Sequence, residues 1–76
     1  TAIVYRLPES ARVYLNIYNL LGQSVRTLVD EKQAPGHYSV MWDGNNDHGK
    51  RVESGVYFFK MQTPHFIMAK KMVLVR

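Results

Sequence analysis

Seventy-six residues with 46% hydrophobic and 12% aromatic content make one small domain with a real core, and exclude a disordered tail or a multidomain chain. No cysteine is present, which excludes disulfide staples, a thiolate nucleophile and a cysteine zinc site. The formal charge of +4 is gathered toward one end: residues 50–76 hold Lys50, Arg51, Lys60, Lys70, Lys71 and Arg76 against Glu53, six cations to one acid and a net of +5.

In chain order, residues 2–7 (AIVYRL) alternate, with Ile3, Tyr5 and Leu7 on one face, and Pro8 stops the strand because it has no N–H to give a ladder. Residues 11–19 (ARVYLNIYN) alternate again, which places Val13, Leu15 and Ile17 inward and Arg12, Tyr14, Asn16 and Tyr18 outward. Residues 19–22 (NLLG) predict a hairpin connection in which Gly22 supplies the positive φ. Residues 23–30 (QSVRTLVD) predict a third strand whose phase the pattern leaves open. A polar loop is predicted over residues 30–36 (DEKQAPG), ended by Pro35 and Gly36.

Residues 36–59 organise the chain. Two core strands are predicted there, with Tyr38, Val40 and Trp42 on one face of the first and Tyr57, Phe59 and Met61 on one face of the second. Between them lie Asp43, Gly44, Asn45, Asn46, Asp47 and Gly49, all turn formers, so a long ordered turn is expected with a short extra strand near residues 50–52. Pro64 marks another turn. Residues 66–76 (FIMAKKMVLVR) predict a final strand, and its apolar run at Met72, Val73, Leu74 and Val75 suggests that both faces are covered.

Six to seven short antiparallel strands with frequent turn signals predict an all-β, immunoglobulin-like β-sandwich. Apolar runs stay under about 10 residues, against the roughly 20 needed by a spanning helix, so the chain is not expected to cross a membrane. The cations are scattered singly along strands with no helix to enter a groove, so nucleic acid is not an expected partner. The first residue is Thr1 and no signal sequence follows, so the expectation is a domain over residues 1–76 excised from a larger exported protein.

Candidate chemistry is sparse. Asp43, Asn45 and Asp47 are spaced like the first half of a calcium loop. The glycine falls late, at Gly49, and Ser54 stands where the bidentate glutamate belongs, so side-chain-capped turns are expected and no metal or other cofactor. His37, His48 and His65 are isolated, and Ser10, Ser24, Ser39 and Ser54 lack the setting of a nucleophile elbow. A domain this small has little room for a substrate cleft beside Asp43 and Asp47, so no enzyme activity is expected. Tyr14 and Tyr18 could form a platform for a sugar or a protein, or simply cover the sandwich. The apolar final strand with two lysines and a terminal arginine could be read by strand addition or by an acidic groove.

Four pieces in order, YRLPESARVYLNIYNLLGQSVRTLVD, APGHYSVMWDG, SGVYFF and KKMVLVR, resemble the type A C-terminal sorting domains of the bacterial type IX secretion system. Those domains are similar to the immunoglobulin-like domain of the flagellar hook-capping protein. The resemblance implies a non-catalytic signal that directs its parent, often a hydrolase, through the periplasm to the outer-membrane translocon and the cell surface. A sortase would then cleave the domain away. The residues it implies for translocon and sortase recognition are Gly36 and Tyr38, in the element over residues 34–38, and the tail Lys70, Lys71, Met72, Val73, Leu74, Val75 and Arg76. Residues 21 and 22 match the family's Leu-Gly turn. The full loop after Trp42 and Asp43 is nearer the hook-capping version, which implies the alternative: a structural interaction module of hook-cap type, or an accessory domain beside a hydrolase that binds carbohydrate or calcium.

Overall fold

The alternating stretches become six antiparallel strands among the described residues: β1 (Ala2–Leu7), β2 (Ala11–Tyr18), β3 (Ser24–Gln33), β4 (Gly36–Met41), β5 (Gly55–Gln62) and β6 (Ile67–Leu74). The computed structural model describes residues 2–75, so Arg76 lies outside the described residues. β1 and β4 pair as a two-stranded sheet, and the order β3-β2-β5-β6 makes a four-stranded one. The two sheets face each other across one core, and the fold is an immunoglobulin-like sandwich.

The core is what the period of two requires. Ile3, Tyr5 and Leu7 of β1 meet Val13, Leu15 and Ile17 of β2, Tyr57 and Met61 of β5, and Met72 and Leu74 of β6. Trp42 is 1% exposed at its centre and meets the Tyr57 ring edge-on at 5.2 Å. Tyr5 stacks on Tyr38 at 5.2 Å across the β1–β4 pair, where the two are register partners. Burying such rings stabilises by about 1.5–3 kcal/mol each, the main favourable contribution open to so small a chain.

β4 and β5 do not pair with each other. They lie in different sheets, so residues 42–54 carry the chain from one layer to the other. Each strand starts on the same device. Gly36 and Gly55 hold φ at 151° and 154°, where an L side chain is strained, and a tyrosine follows two positions later. The Tyr38 hydroxyl donates to the Ala34 carbonyl at 2.5 Å, and the Tyr57 hydroxyl to the Glu53 carbonyl at 2.6 Å. Both are tyrosine corners, which fix the angle at which a loop enters a strand.

β3 departs from expectation in two ways. It continues through Asp30, Glu31, Lys32 and Gln33, which the sequence suggests as loop, because an edge strand can leave charged side chains in water. Arg12 of β2 forms an ion pair with Asp30 there at 2.7 Å. Its phase is also broken twice: the register against β2 skips at Leu28 and again at Val25. Those bulges turn Val25 and Leu28 toward the core, where both are half-buried. Between the bulges Asn16 faces outward as expected yet is 1% exposed, its amide donating to Ser24 Oγ at 2.8 Å and its carbonyl accepting from Thr27 Oγ1 at 3.1 Å.

The hairpin at residues 19–22 closes as expected, with Gly22 at φ 78° and Asn19 Oδ1 accepting from the Leu21 and Gln23 N–H groups. The expected strand near residues 50–52 is reduced to one isolated bridge, Asn45 to Arg51. In the last strand Met72 and Leu74 are buried while Val73 is 57% and Val75 81% exposed. The apolar run therefore does not mean that both faces are covered.

Candidate functional site

The loop at residues 43–50 is held by its own side chains. Asp43 Oδ1 accepts from the Asn45 N–H at 2.9 Å, and Asn46 Oδ1 accepts from the His48 and Lys50 N–H groups at 2.9 and 3.0 Å. These are the side-chain-capped turns that Asp and Asn favour. The indole N–H of Trp42 donates to the Asn45 carbonyl at 2.9 Å, which ties the turn to the core.

The same loop is bound to β3. Asp47 N–H donates to the Val25 carbonyl at 3.0 Å, and Asp47 Oδ1 accepts from the Thr27 N–H at 2.9 Å. Arg26, between those two residues, places its guanidinium 3.8 Å from Asp43 and 3.9 Å from Asp47 and donates to the Asn46 carbonyl at 3.4 Å. The spacing of Asp43, Asn45 and Asp47 thus has a structural use. Their oxygens face backbone N–H groups and a fixed cation, and a calcium ion would have to displace Arg26 and break these turns.

The tail residues are dispersed by the pleat. β6 pairs along its full length with β5, with Lys71 opposite Phe58 and Lys70 opposite Phe59. Lys71 and Val73 therefore point to the outer face of the large sheet, while Met72 and Leu74 enter the core. Lys70 shares the inner face with Met72 yet is exposed, because the two-stranded sheet leaves that edge uncovered. Gly36 and Tyr38 sit in the other layer, on β4, where the Tyr38 ring packs on Tyr5. The strands do not gather these residues into one patch.

Among other polar groups, Ser10 donates to the Gln33 carbonyl at 3.3 Å and Ser24 Oγ receives the Asn16 amide. His37, His48 and His65 are exposed, and His65 Nε2 lies 3.7 Å from Glu9. Burial pushes the Tyr5 phenol above its ordinary 10.0, helped by Tyr38 and Glu31 and opposed by its hydrogen bond to Gln33 Oε1 at 2.6 Å. Two grooves open widely to solvent: one runs beside Arg12, Tyr14, Asp30 and Gln62, the other beside Leu20, Leu21, Gly55 and Val56.

Tyr14 and Tyr18 are both half-buried on the outer face, and Phe58 is the register partner of Tyr18. The sequence alone points Tyr57 and Phe59 inward and leaves Phe58 unassigned. The doublet at residues 58 and 59 was the available signal, because consecutive aromatics on a strand must serve opposite faces.

No curated protein matches this chain. Among solved structures it is similar to FlgD from P. aeruginosa, at 30% identity and a TM-score of 0.73. That match covers 96% of this chain and 58% of the other, so the chain spans little more than half of that protein. Residues 1–64 match the FlgD Ig-like domain. These findings overturn the sorting-signal reading. The family match takes in the complete loop at residues 43–50, tied to β3 as described, together with three of the four pieces that carried the sorting resemblance, and leaves only the lysine tail beyond it. The chain belongs to the family of FlgD Ig-like domains.

Proposed function

We propose that the chain is a non-catalytic structural module of the flagellar hook-cap type, one immunoglobulin-like unit of a longer exported protein that acts by packing against other protein surfaces. The observation that carries this is the family match over residues 1–64, together with a fold likeness that takes in nearly the whole chain. The geometry supports it: the carboxylates of the long loop are taken up by their own turn and by β3, and the grooves are open.

The test is an in-frame deletion of the segment for residues 1–76 from the parent gene. A structural module leaves other domains with their intrinsic activity but removes assembly, read in a hook-cap protein as cells lacking hooks beyond the basal rod. Normal hooks and a normally assembled parent after the deletion would contradict the proposal. So would turnover of an ester, glycoside or peptide by the isolated chain.

A further inference from the structure

The outer face of the four-stranded sheet carries an arrangement that the fold does not need. Along β5 the outward residues are Val56, Phe58 and Lys60, and the register sets Val73 beside Val56 and Lys71 beside Phe58 on β6. Tyr18 of β2 lies beside Phe58 on the other side. Val73 is 57% exposed and Lys71 is also exposed, while Val56, Phe58, Tyr18 and Lys60 are half-buried on the open sheet. The result is an apolar strip of rings and valines that ends in two ammonium groups.

The strip runs on past the end of the sheet. Val56 lines a groove together with Leu20 and Leu21, which are 67% and 83% exposed at the tip of the β2–β3 hairpin. That tip is rigid, since Asn19 Oδ1 accepts from two N–H groups and its amide donates to Gln23 Oε1 at 2.8 Å. Two leucines held in water on a fixed turn lose hydration free energy for no gain in the core.

Charge decides what kind of surface fits. Asp30, on the edge strand β3, is already paired with Arg12 at 2.7 Å. Glu53 also lines the groove beside Val56. Lys60 and Lys71 have no carboxylate partner among the described residues. Lys60 is flanked across the strands by Ala69 and by Asn16, one short and the other sunk to 1% exposure, so a carboxylate can reach its ammonium from either side. The valines and leucines argue for a protein rather than a sugar or nucleic-acid partner, because saccharides and bases stack on rings but bury few aliphatic side chains.

We infer that this face docks an acidic protein surface whose exposed aliphatic side chains are set among carboxylates, with Tyr18, Val56, Phe58 and Val73 as the apolar contact and Lys60 and Lys71 as the charge contact. The inference rests on the reading of the chain as an interaction module and names the surface and partner chemistry. From strand spacing and rise the strip covers on the order of 200 Å². That is far below the roughly 800 Å² per partner of a free-standing complex, so the contact is weak by itself and works when other domains hold the partner close.

NMR reads such affinities. The labelled chain is titrated with a soluble peptide rich in glutamate and leucine, and in parallel with one rich in lysine and leucine. Amide shifts are expected at residues 18, 56, 58, 71 and 73 with the acidic peptide alone, and at least about tenfold weaker binding for K60E/K71E. V73S, a change at an exposed site, weakens binding without touching the core and serves if the double variant loses its native spectrum. Absence of shifts, equal shifts with both peptides, or stronger shifts with an oligouronate or oligonucleotide overturns the inference. In the parent protein, assembly lost on deletion but kept in K60E/K71E refutes the surface and leaves the module reading standing. Assembly kept in both refutes the module reading itself.

Discussion

The paired tyrosine corners allow a matched measurement. Tyr57→Phe removes one hydroxyl and keeps the ring, so the packing of Trp42 against it is retained and only the bond to the Glu53 carbonyl is lost. Tyr57 is 8% exposed and its bond is partly shielded from water, so the orphaned carbonyl is poorly hydrated. The expected cost is about 1–1.5 kcal/mol, the upper part of the range for one hydrogen bond. For a domain of this size that lowers Tm by roughly 4–12 °C. Tyr38→Phe removes the same group from an exposed bond, where water replaces it, and should cost no more than about 0.5 kcal/mol. Urea unfolding followed by the fluorescence of Trp42 gives both values, with an unchanged m-value showing that only stability has moved. The two corners lie in different sheets and the double variant should be additive within about 0.5 kcal/mol. Equal costs at the two sites, or a larger one at Tyr38, would show that shielding of the carbonyl does not set the strength of the corner.

Four further outcomes are expected. Because the folded state holds the Tyr5 phenol above 10.0, its contribution to stability is complete below that pH and is lost as pH rises through the raised value. The advantage of the native chain over Tyr5→Phe, measured as a difference in Tm, should shrink across that alkaline window, and parallel curves would disprove the linkage. Asn16→Leu leaves the Ser24 and Thr27 hydroxyls without their shared partner and should cost about 1–3 kcal/mol in urea, despite placing an apolar residue in a site 1% exposed. Arg26→Ala should destabilise by about 1 kcal/mol, modest because the guanidinium is one-third exposed and its ion pairs are long. Calcium should leave the Tm of the native chain unchanged, and a concentration-dependent rise would show that Asp43 and Asp47 can turn from Arg26 to a metal.

The strands β1, β2, β4 and β5 were readable because each obeys one period and faces one core, so Ile3, Val13, Trp42 and Met61 could be placed by counting. β3 was not, since two inserted residues, Val25 and Leu28, shift its phase and no local pattern announces a bulge. Its charged half was mistaken for loop because a free edge tolerates residues that a central strand cannot. The turn at residues 43–50 was legible as a turn, but its anchor was not: Arg26 is 17 positions from Asp43, and only the pairing of sheets brings them together. The lysine tail misled for a related reason. Consecutive letters such as Lys70 and Lys71 suggest one epitope, and the pleat sends them to opposite faces.

Any four-stranded sheet has two flanks on which a stranger could crystallise, and here each is barred differently. At β3 the loop occupies the positions a further strand would take, using the Asp47 N–H and carboxylate against the Val25 carbonyl and Thr27 N–H. At β6 no loop intervenes among the described residues, and an exposed Lys70 shares the face of Met72 along that edge strand. Copies of the chain brought side by side are therefore hindered from joining their sheets into a continuous ribbon.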